Sequence, residues 1–430
     1  MANETVREEV RRIAESARAA SGALAQTSAG ERNAALAAMA AALRAHAAEI
    51  VAANAEDVAA ARAAGTKESL VDRLMLDEGR IEDMAAALEE LAVLPDPLGR
   101  VQDARTLESG IGLERVSVPL GVVAVVYEAR PNVTADAAGI CLKSGNAAVL
   151  RGGSMAARSN EAVARVLADA AEGAGMPQGC IGLVASTDRA AADELMGLHG
   201  TVDVLIPRGG AGLIRHCVET SKVPVIETGT GNCHVYLHGS ADLERARAIV
   251  VNAKCRRYGV CNAAETLLVD EAAAGALLPA VLADLREQGV VLHADERARA
   301  VAAAHGIEAE PATEDDWETE YLAPELAVRC VSGVDEAVAH VNRYGTKHSE
   351  AIVADPADPA GAAAIEAFLA RVDAAAVYAN ASTAFTDGGQ FGLGAEIGIS
   401  TQKLHARGPF ALEALTSYKY VLRGDGQVRA

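Results

Sequence analysis

Two cysteines in a basic stretch have the residue type and surroundings that nucleophilic chemistry needs. Cys255 and Cys261 stand six positions apart in a 430-residue chain whose formal net charge is −20. Three cations accompany them: Lys254, Arg256 and Arg257. The local pattern predicts a helix that ends before Cys261 and a strand that follows it, which would expose this thiol beside positive charge, where reactive thiolates form. Free cysteine is also among the most buried residue types, so both thiols could equally be core residues.

A carboxylate and two glycines follow predicted strands elsewhere in the chain. Glu227 comes at the end of VPVIE and before a glycine-rich turn, where a partly desolvated carboxylate could act as a base. Gly209 and Gly210 lie between a strand and a helix, and backbone N–H groups at a helix N-terminus suit a phosphate. The GxGxxG fingerprint is absent, so a simple tight turn explains these glycines equally well.

Polar side chains also stand at the ends of two apolar strands. Asn132 follows GVVAVVYE, and its amide could donate to a developing oxyanion or serve as an ordinary part of a turn and helix start. Arg151 follows AAVL and precedes Gly-Gly-Ser, which ends at Ser154. A cation at this place could hold the 2′-phosphate of NADP, or be a solvated arginine.

Two basic clusters stand out in this acidic protein. One is Lys254 with Arg256 and Arg257, and the other is Lys403 with His405 and Arg407. An anionic substrate would need such clusters to overcome a repelling background, although charge runs are most often solvated surface. The candidate substrate-binding residues are Lys254, Arg257, Lys403 and Arg407.

The elements that must position these side chains follow an α/β pattern. Residues 4–94 have helical periodicity, with breaks expected at glycines such as Gly22, and 106–121 read as a β-hairpin. Strands and helices alternate over 121–227 and again over 243–344, and 417–423 read as a terminal strand. Such alternation predicts parallel, doubly wound sheets that bind ligands at the carboxyl ends of strands.

Composition excludes several classes of protein. The acidic balance argues against nucleic-acid binding, and no apolar run approaches the ~20 residues that span a bilayer. The charged N-terminus is unlike a signal peptide, and seven scattered cysteines suit a reducing cytoplasm. Cys233 and His234 are adjacent but lack a second pair at ligand spacing, so no metal site is expected and they are interpreted as a core cysteine and a partly buried histidine.

Taken in order, these motifs resemble the aldehyde dehydrogenase superfamily. The matching positions are Asn132, Arg151, Gly209-Gly210, Glu227, Cys261 and the run Glu320–Pro324. The resemblance implies that Cys261 is the nucleophile, that Asn132 and Glu227 are catalytic, and that Glu320 contacts the nicotinamide ribose. It implies an aldehyde-dehydrogenase-like α/β fold with a Rossmann-type cofactor domain, a second α/β catalytic domain and a small β element for oligomerisation.

The block Phe391–Pro409, with YEARPNVT and YGVCNAAETLLV, is similar to a family of acyl-phosphate reductases within this superfamily. That similarity implies NADPH-dependent reduction of L-glutamyl 5-phosphate to L-glutamate 5-semialdehyde and phosphate, through a thioester on Cys261, in proline biosynthesis. It assigns NADPH to Arg151, Ser154, Gly209, Gly210 and Glu320. A homo-oligomer is expected, together with an association with the upstream glutamate kinase.

The expected domains follow from the same resemblance. Residues 1–104 and 120–226 would bind NADP, and 227–360 would carry the nucleophile. Residues 105–119 and 410–430 would form the oligomerisation strands, and 361–409 would return to close the active site. Three alternatives stay open: an oxidising aldehyde dehydrogenase with the same thiol, a non-catalytic oligomer that keeps the cofactor fold, and a metal-dependent dehydrogenase.

Overall fold

Helices fill the N-terminal part of the computed structural model, which describes residues 2–128 and 130–429 except for the side chains of residues 2, 3 and 69. The helix bounds here are α1 (Ala2–Leu24), α2 (Ala29–Ala45), α3 (Ala47–Ala63), α4 (Glu68–Leu74) and α5 (Glu78–Val93). Ser28 caps α2 through a capping box with Glu31. The predicted helical region is confirmed, but the break expected at Gly22 is wrong, because α1 continues through it to Leu24.

By compactness the chain divides into two units. The first comprises Met1–Thr228, Gly392–Gly398 and Phe410–Ala430, and the second comprises Gly229–Phe391 and Ile399–Pro409. The roles predicted for the cofactor, catalytic and oligomerisation segments stay predictions.

The first unit contains a parallel sheet and an antiparallel sheet. The parallel sheet has the order β5-β4-β3-β6, and β1, β2 and β16 form the antiparallel one with β2 in the middle. The strands are β1 (Val101–Thr106), β2 (Gly112–Pro119), β3 (Val122–Tyr127), β4 (Ala147–Arg151), β5 (Ile181–Leu183), β6 (Val204–Arg208) and β16 (Thr416–Arg423). The helices between them are α6 (Asn132–Lys143), α7 (Ala157–Gly173), α8 (Arg189–Gly197) and α9 (Ala211–Thr220). The predicted hairpin and terminal strand are both confirmed.

The second unit is built on a seven-stranded parallel sheet of order β10-β9-β11-β8-β7-β12-β13. Its strands are β7 (Cys233–Leu237), β8 (Ala264–Asp270), β9 (Val291–Ala294), β10 (Glu310–Pro311), β11 (Glu325–Val331), β12 (Ser349–Val353) and β13 (Ala376–Ala379). Its helices are α10 (Leu243–Cys255), α11 (Ala274–Glu287), α12 (Glu296–Ala304), α13 (Val334–Tyr344) and α14 (Pro359–Arg371). Two short strands, β14 (Gly398–Ser400) and β15 (Gly408–Phe410), pair with each other.

Both faces of this sheet are covered, as alternating side chains show. Leu267 of β8 packs with α10, α11 and α12, whereas its neighbour Leu268 packs with α13 and α14 on the other side. Successive residues of a strand point to opposite faces, so a strand buried on both sides is apolar throughout. The predicted doubly wound arrangement is thus confirmed for the second block.

Some predicted elements differ from the structure. VPVIE is not a regular strand, because Pro224 lacks an N–H and contact with β6 is reduced to a single bridge between Leu205 and Val225. His234 is fully buried rather than partly so. Several elements were not predicted, among them β7, β12, β13 and α14.

Among the described residues, no single helix is long and apolar enough to cross a bilayer. One bent pair, α2 with α3, reaches the required length and composition.

Candidate active site

Cys261 lies in the turn between α10 and β8 and is partly exposed. The backbone of this turn is held against the glycine-rich segment that precedes β7, so closely that a side chain at Gly231 would overlap the carbonyl group of Cys261. The next residue is anchored as well, since the Asn262 amide donates to the carbonyl oxygens of Thr386 and Ala384, at 3.1 and 3.4 Å. The thiol is therefore presented by a fixed loop.

Glu320, in the segment before β11, also contacts the glycine-rich segment that precedes β7. Its carboxylate accepts the Gly231 N–H at 2.7 Å, and burial raises the pKa of the Glu320 carboxyl group. Glu320 and Cys261, which belong to separate sequence motifs, thus both contact Gly231.

Lys254 lies in the interior of the second unit. It is 0% exposed, and its Nζ lies 2.5 Å from Oε2 of Glu265, which is equally buried. Burial lowers the pKa of Lys254 and raises that of Glu265 to about 7. This placement corrects the expectation of a single surface cluster, because only Arg256 and Arg257 of that cluster are exposed. Contact of Lys254 with the substrate stays a prediction. The burial of the Lys254 side chain does not favour such a contact.

The second basic cluster surrounds one carboxylate. Arg407 Nη2 lies 2.7 Å from Asp373, Lys403 Nζ lies 3.0 Å from it, and Lys347 Nζ lies 3.6 Å from it. The hydrogen bond from Arg407 is the main cause that lowers the pKa of Asp373 to about 2. Three cations share one anion, so this cluster keeps an excess of positive charge in an acidic protein.

The Cys261 loop and the basic cluster around Asp373 lie at the same edge of the seven-stranded sheet. Cys261 comes just before β8, Lys347 just before β12 and Asp373 just before β13. Because all these strands are parallel, their amino ends meet at one edge, and β8 and β13 are three strand spacings apart, roughly 14 Å. Long basic side chains can cover much of that distance.

Asn132 and Glu227 belong to the first unit. Asn132 is exposed at the first turn of α6, where its Nδ2 donates to Oδ2 of Asp136 at 3.0 Å. Burial is the largest cause that raises the pKa of Asp136 to about 6. Glu227 is half-buried in the irregular segment after Val223.

Residues at the carboxyl edge of the first unit's parallel sheet can hold a dinucleotide. Arg151 ends β4, where its Nη2 donates to the carbonyl oxygen of Thr187 at 2.7 Å, while its buried Nε has no hydrogen-bond partner in the described part of the chain. Gly209 and Gly210 are exposed at the start of α9, and Ser154 is exposed at the start of a short 3-10 helix. A cation with an unsatisfied donor, together with helix N-terminal N–H groups, fits phosphate oxygens.

One carboxylate already contacts this edge. Glu128 follows β3 and accepts the Gly210 N–H at 2.9 Å, so a phosphate that uses this N–H must displace the carboxylate. A Cβ at Gly209 would meet the far end of the Glu128 side chain, which would have to move to make room for it.

Comparison with known proteins identifies the family. Residues 2–305 match the aldehyde dehydrogenase family model. A gamma-glutamyl phosphate reductase from Moorella thermoacetica is 55% identical over 98% of this chain and 99% of its own length. The chain belongs to the aldehyde dehydrogenase family, in its gamma-glutamyl phosphate reductase branch. A relative of the same name from Thermobifida fusca is 52% identical over 99% of both chains.

The fold of this aldehyde dehydrogenase family member also matches a solved structure. The crystal structure of gamma-glutamyl phosphate reductase from Thermotoga maritima superposes with a TM-score of 0.95 at 44% identity, covering 98% of this chain and 100% of that one. The predicted aldehyde-dehydrogenase-like α/β fold is confirmed.

Within this aldehyde dehydrogenase fold, the structure adds residues that sequence patterns did not reveal. Asp136 and Asp373 each contact a predicted residue, Lys347 contacts Asp373, and none of the three belongs to a recognised motif. Gly231 lies in the glycine-rich turn after Glu227, but its contact with the Cys261 loop was not predicted. Only Asp136 carried a signal, the i, i+4 spacing from Asn132 that places two side chains on one helix face. Among the described residues, no group of three or more His, Cys, Asp or Glu side chains is arranged to hold a metal.

Proposed function

We propose that this protein reduces L-glutamyl 5-phosphate to L-glutamate 5-semialdehyde with release of phosphate, a step of proline biosynthesis. The observation that carries the proposal is the near full-length identity, 52–55%, with relatives named gamma-glutamyl phosphate reductase. The anchored Cys261 loop supports it, because acyl transfer to a thiol needs a fixed nucleophile.

The proposed first step is acyl transfer to Cys261. The thiolate attacks the acyl-phosphate carbonyl carbon, a C–S bond forms, and the C–O bond to phosphate breaks with phosphate taking the electron pair. The Asn132 amide donates to the oxyanion that develops on the carbonyl oxygen. The product of this step is a glutamyl thioester on Cys261.

The resemblance to the family suggests which residues would hold the nicotinamide cofactor. Arg151, Ser154, Gly209 and Gly210 would bind its phosphates, and Glu320 would bind the nicotinamide ribose. When bound, NADPH supplies the hydride that reduces the thioester to the aldehyde. We infer NADPH rather than NADH because Arg151 is a cation at a strand end, where a ribose 2′-phosphate is accommodated.

A glutamate at the position of Glu227 would have a different role in a reductase than in an oxidising aldehyde dehydrogenase. The oxidising enzyme needs a base that activates water to hydrolyse the thioester, whereas a reductase must keep water away from it. We propose that Glu227 takes the proton of Cys261 or returns a proton to the departing group.

The substrate carries two kinds of anionic group, a phosphate and a carboxylate. Lys403 and Arg407 are the favoured partners, because with Lys347 they hold an excess of positive charge near the edge that carries Cys261. Arg257 is exposed and stays a candidate, and Lys254 stays one despite its burial.

Subunits would pair through β16. This strand lies at the edge of its sheet and exposes Tyr418, Tyr420 and Leu422, each about half accessible. An uncovered edge strand favours pairing with a second strand, so we propose a homo-oligomer, located in the cytoplasm and able to associate with glutamate kinase. A light-scattering mass of one chain at micromolar concentration would contradict the oligomer.

Substitution of the two neighbouring cysteines tests the function. Cys261→Ala should abolish NADPH oxidation in an assay that generates glutamyl 5-phosphate with glutamate kinase, whereas Cys255→Ala should keep most of it. Cys255 is the matched control, because it lies in the same basic stretch but burial raises the pKa of its thiol. The opposite result would overturn the assignment of the nucleophile, and NADH supporting the higher rate would overturn the choice of cofactor.

A further inference from the structure

Cys233 is a second thiol next to the Cys261 loop, and the reaction proposed above does not use it. It opens β7, is 0% exposed, and its Sγ lies 3.2 Å from the carbonyl oxygen of Cys261. Burial raises the pKa of the Cys233 thiol well above its usual value, so the thiol keeps its proton. A protonated thiol is a weak hydrogen-bond donor, and a backbone carbonyl oxygen can accept its hydrogen bond.

The hydrogen bonds around His348 decide where the Cys233 proton goes. His348 Nδ1 lies 3.8 Å from Cys233 Sγ and 2.7 Å from Ser349 Oγ. Ser349 Oγ donates its single proton to Thr386 Oγ1 at 2.6 Å. The proton between His348 and Ser349 must therefore belong to Nδ1, which then cannot accept from Cys233. The Cys261 carbonyl is left as the acceptor of the Cys233 S–H.

This contact completes the anchoring of the nucleophile's backbone. Gly231 packs against the same carbonyl group, and Asn262 is held from the other side through its amide and through its carbonyl oxygen, which accepts from Thr383 Oγ1 at 2.7 Å. A peptide group held on both sides fixes the direction of the preceding Cα–Cβ bond. Small displacements of a reacting group reduce rates strongly, so this anchoring has a kinetic consequence.

We propose that Cys233 is a positioning residue, whose S–H donated to the Cys261 carbonyl holds the nucleophilic thiol in its reactive orientation. The inference rests on the proposed function only in taking Cys261 as the nucleophile. It assigns Cys233 no contact with substrate and no covalent step.

Two substitutions, to the larger valine and to the smaller serine, test whether a donor is needed at this position. Cys233→Val removes the donor and should lower kcat about tenfold while KM for glutamyl phosphate changes less than about twofold. Cys233→Ser keeps a donor and should restore kcat to within about threefold of the unmodified protein. Cys330→Ala, a buried thiol on β11 of the same sheet, is the control and should leave kcat unchanged.

The outcomes are distinguishable from failure of the proposed function. A Cys233→Val protein with unchanged kcat, or a Cys233→Ser protein as slow as Cys233→Val, would overturn the positioning role. If Cys233→Val does not fold, as judged by circular dichroism, Cys233→Ala provides the same comparison with Cys233→Ser. Turnover that persists in Cys261→Ala would instead overturn the proposed function, whatever the Cys233 variants do.

Discussion

The backbone of Gly231 lies directly against the carbonyl group of Cys261, and the same glycine donates its N–H to Glu320. This contact links the glycine turn, the nucleophile's loop and the segment before β11 within one unit. It also explains why position 231 has no side chain, since any Cβ would displace the loop that carries the thiol.

Gly231→Ala should therefore lower turnover by about a hundredfold or more, because the methyl group must push the Cys261 loop out of place. The measurement is kcat for NADPH oxidation with glutamyl phosphate. Gly275→Ala is the matched control, since Gly275 is an exposed residue of α11 with open space around it, and it should raise stability by up to about 1 kcal/mol with unchanged kcat. Unchanged turnover in Gly231→Ala would show that the contact is not functional.

Removal of Lys403 or Arg407, two of the three cations beside Asp373, should weaken substrate binding. Lys403→Met or Arg407→Leu should raise KM for glutamyl phosphate roughly tenfold or more, as loss of a charged hydrogen bond does, while KM for NADPH stays the same. Arg371→Gln removes a comparable cation from a surface pair with Asp335 and serves as the control. Equal increases in all three variants would indicate a general charge effect and no specific site.

The buried pair of Lys254 and Glu265 should matter for stability. Lys254→Met leaves an uncompensated carboxylate in the interior and should cost about 3–5 kcal/mol in the free energy of unfolding, measured in urea. The double variant Lys254→Met/Glu265→Leu should recover most of that loss. Arg62→Ala, which breaks an exposed pair with Glu68, should change stability by less than about 1 kcal/mol. A double variant as unstable as Lys254→Met would contradict this account.

Burial of His348 predicts a loss of stability in acid. Burial lowers the pKa of His348 from 6.5 to about 4, so between those values the unfolded chain binds a proton that the folded chain does not. Stability then rises with pH in this window, and His348 contributes about 3 kcal/mol of the difference. Urea unfolding at pH 4.0–6.5 should show a shallower pH dependence for His348→Gln than for the unmodified protein. Parallel curves would refute the assignment.

Much of the fold follows from sequence patterns, and the exceptions have physical reasons. The hairpin within 106–121 and the terminal strand over 417–423 were predicted correctly, because turn residues and alternation agree there. The strand β7 was missed because CHVYL is short, buried on both faces and shows no alternation. VPVIE has strand composition, but its proline prevents regular pairing.

Sequence motifs predicted individual residues of the site, but they did not predict the contacts between those residues. Cys261 and Glu320 stand in recognisable surroundings, yet their common contact with Gly231 depends on how distant segments meet. Lys254 is the clearest example of a placement that sequence patterns do not reveal. A lysine beside two arginines indicates a surface cluster. Its side chain is instead buried, paired with Glu265, which lies eleven positions later on a buried strand. Charge pairing across a fold leaves no periodic signal in the chain.

The most direct test of the central claim measures the reaction in reverse. Reduction of NADP by L-glutamate 5-semialdehyde is followed with and without inorganic phosphate. A thioester on Cys261 that is protected from water must be released by phosphate, so the account predicts that NADP reduction requires phosphate. NADP reduction that proceeds equally fast in water alone would identify an oxidising aldehyde dehydrogenase and contradict the account.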